Sequence, residues 1–299
     1  HEVGPAFEFL AKQYSNEVYT PTVYSVPASV IEDADEGVKR LGCMPSRNVY
    51  DDAGNPAMLG EHKRTTGCHL HISHPSFVKE PERVGLDTVK WADLLVGNTW
   101  TLISPVKPVL EVFRRKAYGR AGECRLKTYP IYGETAFGRP VGGELGSNNR
   151  YGVEYRVLPG TVMSHPVYLT FMLSLYRSAL RMANTKGTPP EELSAAVKDS
   201  INNADKQMAH RVFEALPMAS STRNLVSALS KKPLKTLTAT KWAEASQNCM
   251  GHRAFAVENG IGNVLTGTAH YVPRPVRRTT YVGATTTRII PGYREPTQL

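Results

Sequence analysis

Alternation of apolar and polar positions is clearest in two stretches ahead of residue 160. In VEYRV (153–157), Val153, Tyr155 and Val157 fall on one face of a strand, with Glu154 and Arg156 on the other. In TTGCHLHIS (65–73), His69 and His71 share one face, and Cys68, Leu70 and Ile72 share the opposite one. Near the start, Phe7 and Phe9 alternate with Ala6, Glu8 and Leu10, which places Glu8 on a buried strand face. Helical spacing takes over elsewhere. ASVIEDADEGVKRLG (28–42) predicts a short amphipathic helix ended by Gly42. Residues 87–103 predict a helix capped by Asp87, with Val89, Leu94, Leu95 and Trp100 turned to a core. SHPVYLTFMLSLYRSALRMAN (164–184) predicts a strongly apolar helix with Ser164 as cap and Pro166 in its first turn. A helix over 188–217 with a weak point at Asn202-Asn203 follows, then two more near 220–231 and 240–257. Strands before residue 160 and helices after it predict an α+β fold: a curved antiparallel sheet carrying the polar positions, backed by helices, with a mainly helical C-terminal part. No internal repeat is visible.

The polar faces carry the candidate chemistry. Glu154 and Arg156 stand side by side before the Leu158-Pro159-Gly160 turn, which suits a metal-binding carboxylate next to a phosphate clamp. The same pair also reads as a plain ion pair on an edge strand. His69 and His71 follow Gly67 and form a polar floor, open to a zinc-binding or a structural reading. With His74 and Cys68 nearby they also suggest a zinc hydrolase site. Between these strands, RRKAYGRAGECR (114–125) places Arg115, Arg120 and Arg125 around a Gly-rich turn, a cradle for polyphosphate or a solvated basic face.

Taken in order, G-x-H-x-H, then R-(Y-G-x-A-G)-R, then E-Y-R-x-x-P followed by H-P-x-Y-L resembles the carboxylate–amine ligase superfamily of glutamine synthetases and glutamate–cysteine ligases. The phage amidoligase type 2 group is the branch it most resembles. The resemblance covers about residues 1–185 and implies a glutamine synthetase-like sheet. It implies metal binding by Glu154, His69 and Glu8, and phosphate binding by His71, Arg115, Arg120 and Arg125. Catalytic roles follow for Arg156, Arg125 and Arg120, with ATP and Mg²⁺ (or Mn²⁺) as cofactors. Two departures stand out. The family's early strand carries two acidic residues two apart, and this chain has Ala6 in the first place, with Glu2 as a stand-in. Arg125 and Glu154 are 29 positions apart, so residues 126–150 read as an inserted loop. Gly133, Gly138, Gly142, Gly143 and Gly146 give that loop hinges, and Glu134, Arg139, Glu144 and Arg150 give it polar contacts for a substrate.

Composition narrows the remaining choices. At 299 residues the chain accommodates a ligase-like core over 1–185, a helical part of the same domain over 186–269 and a tail over 270–299. Cys43, Cys68, Cys124 and Cys249 are widely spaced with no C-x-x-C pair, which argues against a disulfide scaffold or a zinc knuckle and makes a reducing cytoplasm (a host cytoplasm for a phage protein) the default. No uninterrupted apolar run is long enough to span a bilayer. The chain opens without an initiator Met, which predicts a removed or omitted upstream piece. Net charge is +9, and the tail holds Arg274, Arg277, Arg278, Arg288 and Arg294 against Glu295 alone. Its mix of Pro, Thr, Tyr and Arg predicts an extended segment, suited to a neighbouring subunit or a virion or assembly partner more than to nucleic acid. Walker A, G-x-G-x-x-G, H-E-x-x-H and G-x-S-x-G motifs are all missing. The expected function is therefore an ATP-dependent ligase joining a small-molecule or peptide carboxylate to an amine; a non-catalytic assembly protein and a zinc hydrolase are the alternatives.

Overall fold

In the computed structural model, residues 21–34, 46–50, 63–77, 80–129 and 150–251 are described. Among these residues the chain is mixed α+β, with two small antiparallel sheets. In chain order its elements are β1 (Val23–Ser25), α1 (Ala28–Glu32), β2 (Arg47–Asn48), β3 (Lys63–Thr65) and β4 (Gly67–Ser73). Next come α2 (Pro81–Ala92), a π-helical stretch (Asp93–Gly97), α3 (Asn98–Ile103) and α4 (Pro108–Ala117). Strands β5 (Glu123–Tyr129) and β6 (Arg150–Pro159) precede α5 (Pro166–Lys186), α6 (Glu191–Asn202), α7 (Lys206–Ala215), α8 (Ser220–Lys231) and α9 (Ala239–Gly251).

The larger sheet has the order β2-β5-β6-β4, antiparallel throughout, and β1 pairs with β3 in the smaller one. On β4 the alternation takes physical form: Cys68 and Leu70 are buried, while His71 is exposed and His69 half-buried. Cys68 pairs with Leu158 and Leu70 with Tyr155. Across that interval the single residue His69 therefore stands opposite Arg156 and Val157, a bulge that departs from strict alternation and brings Arg156 beside His69.

Helices cover the apolar face. Val153, Tyr155, Cys124 and Leu70 join a core with Leu94, Leu95, Trp100, Phe171, Met172 and Leu175, each at most 2% exposed. The same core continues through Val197, Val212 and Trp242, so the helices after residue 186 share it. Two side chains tie strand to helix: Tyr155 Oη donates to Asp93 Oδ1 at 2.8 Å, and Tyr176 Oη to the Val153 carbonyl at 3.0 Å.

Several helix ends differ from expectation. The helix expected from Asp87 begins at Pro81, and Asp87 is instead a buried acceptor for Thr188 Oγ1 at 2.6 Å. His165, not Ser164, caps α5, its Nδ1 accepting from Val167 N. The weak point at Asn202-Asn203 is a true break, because Ala204 takes a positive φ of 49° and Asp205 caps a new helix, accepting from Gln207 N and Met208 N. Helix α4 was not expected; Pro108 and Glu111 in its first turn and Arg114 and Arg115 in its last favour it. Residues 126–129, expected as part of a loop, extend β5, and Tyr129 pairs with Arg150, so 130–149 joins the two arms of one hairpin. The expected helix over 28–42 is described only as α1, through Glu32, and the remainder of that stretch from 35 lies outside the described residues, as do 252–257 and the tail.

Candidate functional site

The face of the larger sheet turned away from the core collects charge around Glu154, at the centre of the site. Cross-strand register alone sets its neighbours: Glu154 pairs with His71 on β4 and with Arg125 on β5. The carboxylate is only 3% exposed, and its oxygens are shared among four basic side chains. His69 Nδ1 lies 2.9 Å from Oε1 and Arg156 Nε 3.4 Å from it. Lys127 Nζ and Arg125 Nη1 lie 3.4 and 3.8 Å from Oε2. Arg156 is fully buried, Arg125 is 21% exposed and Lys127 37%, so positive charge runs from the floor to the mouth.

Electrostatics settles the charge states. Burial would raise the Glu154 pKa, but His69, Arg156 and Arg125 outweigh it and hold the carboxyl below its ordinary value. Burial, then the Arg156 guanidinium, pushes His69 down to about 4 against the pull of Glu154. His71 is lowered too, by burial first, with Glu154 opposing and Lys127 assisting. At neutral pH the site therefore presents two neutral imidazoles and one carboxylate. Donor atoms of His69, His71 and Glu154 all lie within 4.8 Å of one another, a little wider than the roughly 4 Å that two donors on one ion span. Two imidazoles and one carboxylate fit Mn²⁺ better than Mg²⁺, which prefers oxygen alone.

The sequence candidates fall into distinct places. His69, His71, Arg125, Glu154 and Arg156 converge on this face, and His71 stands with the metal-capable group although the resemblance gave it to phosphate. Arg115 does not belong to it. In the last turn of α4 it is 2% exposed, 3.4 Å from Glu111 Oε2 and donating to the Gly119 carbonyl at 3.2 Å, on the core side near Asp93 and Tyr155. Helical spacing explains this, since Glu111 meets Arg114 and Arg115 three and four residues on. Arg120 lies half-buried in the turn before β5, where its carbonyl accepts from Glu123 N at 3.1 Å. Glu8, Glu2, Ala6 and the loop residues Glu134, Arg139 and Glu144 lie outside the described residues.

His74 and Cys68 stand apart from the His69–His71–Glu154 group. His74 is exposed and bonds Ser76 Oγ at 2.9 Å, and Cys68 is buried on the opposite face, where burial pushes its thiol up to about 12. Three residues missed in the sequence enter instead. Lys127 follows Arg125 by two positions on one strand face, a signal hidden while that stretch read as loop. Ser46 accepts from Arg156 Nη1 at 2.6 Å, and Tyr118 joins His69 to Arg156. Ser46 carries no pattern in the chain, and Tyr118 sits in the Y-G-x-A-G motif without a role assigned to it.

No family model, curated protein or solved structure matches the chain. No helix among the described residues is long and apolar enough to cross a membrane.

Proposed function

We propose that the chain is an ATP- and divalent-metal-dependent carboxylate–amine ligase, with its sheet a version of the glutamine synthetase-like catalytic sheet. One observation carries the reading: a metal-capable group of His69, His71 and Glu154 shares a single sheet face with Arg125, Lys127 and Arg156. Three cations beside one carboxylate leave the face positive even before a metal enters, so its complement is a polyanion. Peptidases and oxygenases with a similar donor set have no need of such an array, whereas phosphoryl transfer does.

In this reading His69, His71 and Glu154 hold the ion, which when bound supplies positive charge against phosphoryl oxygens. Arg125 and Lys127, nearer the mouth, bind the polyphosphate. Arg156 is held by Ser46, Tyr118 and Glu154, so it meets developing charge without first reorganising. A substrate carboxylate oxygen attacks the γ-phosphorus, the bond to the bridging oxygen breaks, and ADP leaves. An amine then attacks the acyl carbon, the carbon–oxygen bond to phosphate breaks, and the amine proton passes to solvent. No protein nucleophile takes part.

The test is nucleotide binding, followed by trapping. The purified full chain should bind ATP only with Mn²⁺ or Mg²⁺, and Glu154→Ala should abolish that dependence. With a pool of amino acids and short peptides, hydroxylamine should intercept the acyl phosphate as a hydroxamate with stoichiometric ADP release. A chain that binds no nucleotide under any metal condition would overturn the reading.

A further inference from the structure

Tyr118 touches both halves of the site through one hydroxyl. Its oxygen accepts from Arg156 Nε at 3.2 Å and Nη2 at 3.1 Å, and the same hydroxyl bonds His69 Nε2. The ring stands 4.9 Å from the Arg156 guanidinium carbon and 5.7 Å from the His69 ring. Gly67 makes room for it, because a Cβ there would meet Tyr118 Cε1 at 2.7 Å.

Donor accounting fixes the direction of these bonds. Arginine offers no acceptor, so Tyr118 must accept from Arg156, and its only proton is left for His69 Nε2. Nε2 is then the unprotonated nitrogen, and the His69 proton sits on Nδ1, aimed at Glu154 Oε1 2.9 Å away. One phenol thus sets the tautomer and ring plane of a metal-capable histidine and the fork of a buried arginine.

The backbone of Tyr118 is itself braced. Its N–H donates to the Arg114 carbonyl at 2.8 Å, and its carbonyl accepts from Arg114 Nη1 at 3.2 Å. Arg114 Nη2 reaches the Val157 carbonyl of β6 at 2.6 Å, tying the end of α4 to the strand that carries Glu154 and Arg156. The buried arginine before the turn thus holds Tyr118 in place and lies away from the phosphate side.

We propose that Tyr118 is a positioning residue that couples cation binding at His69 to anion binding at Arg156. The proposal rests on the metal-and-phosphate reading of this face, and not on which reaction follows. Coupling of this kind is reciprocal, so sulfate should change Mn²⁺ affinity by the same factor that Mn²⁺ changes sulfate affinity.

The experiment uses the full chain, wild type and Tyr118→Phe, with Mn²⁺ alone and with sulfate as probes. With Nδ1 protonated and the Nε2 lone pair held by Tyr118, a cation at either nitrogen must displace one of them, so Tyr118→Phe, which keeps the ring against Gly67, should tighten Mn²⁺ severalfold. It should also bring the sulfate–Mn²⁺ coupling factor close to one. Weaker or unchanged Mn²⁺ binding with the coupling retained overturns the proposal. A second measurement needs no variant: nitrogen NMR of ¹⁵N-histidine-labelled, metal-free wild type should show His69 protonated at Nδ1. A proton on Nε2 overturns the role of Tyr118 even if Tyr118→Phe fails to fold. If the wild type takes up no Mn²⁺, the metal reading of the face fails, and the tautomer alone decides whether Tyr118 orients His69.

Discussion

The Glu154 carboxylate and the His69 imidazole meet at 2.9 Å across neighbouring strands, with Glu154 almost wholly buried among three further basic side chains. Glu154 therefore balances Arg156, which has no solvent contact, and in the proposed function it also offers an oxygen to a metal. Replacing it with Gln preserves shape and removes charge. Glu154→Gln should lower Mn²⁺ affinity by more than about 100-fold, beyond the loss for an outer partner. It should also cost about 3 kcal/mol of stability, at the low end for breaking a buried pair because Arg125 and Lys127 reach water. Sulfate at millimolar concentration should restore part of that stability, and titration of the melting temperature with sulfate checks it. A variant as stable as wild type would mean that the cations do not depend on Glu154.

Arg115 and Arg125 lie ten positions apart in one sequence motif yet should respond in opposite ways. Arg115 is sealed against Glu111, while Arg125 is partly open beside Glu154. Arg115→Met should lose about 3 kcal/mol in denaturant unfolding and leave anion affinity unchanged. Arg125→Met should lose less than about 1 kcal/mol and weaken sulfate or nucleotide binding severalfold, most at low salt. Paired unfolding and binding measurements separate the two. Equal effects on binding would return Arg115 to the site.

These two arginines also mark what the sequence reveals and what it conceals. The strand alternation was legible because period two survives without tertiary information: Glu154 with Arg156, and His69 with His71, could be placed on common faces from spacing alone. The core positions Val89, Leu94, Leu95 and Trp100 were legible from helical spacing, which is equally local, and are all fully buried. Charge clusters were not, because Arg114 and Arg115 look the same in sequence whether they face phosphate or pair with Glu111. Tyr118 lay inside the Y-G-x-A-G motif yet gave no hint of its role, which depends on a bulge, a glycine on another strand and a braced helix end. The hairpin arms of 126–129 and 150 were hidden by the Gly-rich segment between them.

Gly119 follows Tyr118 with φ of +80°, and a Cβ there would lie 1.9 Å from Arg114 Nη1. Backbone strain and displacement of the brace would coincide in Gly119→Ala. The substitution should destabilise by more than about 3 kcal/mol, combining a left-handed penalty of about 1–2 kcal/mol with loss of packing at a buried arginine. It should also shift Mn²⁺ affinity at the His69 group in the same direction as Tyr118→Phe, although residue 119 touches no candidate ligand. Calorimetry together with Mn²⁺ titration checks both effects. A loss of stability with unchanged Mn²⁺ affinity would show that Tyr118 keeps its place without the brace.

Asp93 gives a pH signature that belongs to the fold and not to the site. It opens the π-helical stretch, is fully buried, and accepts from Tyr155 Oη on the core side of the sheet. Burial raises its pKa from 3.8 to about 7, with the Tyr155 hydrogen bond and the Arg115 charge only partly offsetting it. Between those two values the folded chain holds a proton that the unfolded chain has released, so stability falls as pH rises through the window. The loss is complete above about 7 and absent below about 4. At about 1.4 kcal/mol per pKa unit it amounts to at most about 4 kcal/mol. Asp93→Asn keeps an acceptor for Tyr155 and has no proton to lose, so the variant should gain on wild type between pH 5 and pH 8. Groups elsewhere titrate in both proteins and cancel in that difference. Thermal unfolding of the pair at the two pH values reads it directly, and a gap independent of pH would mean that Asp93 is already ionised in the folded protein at pH 5.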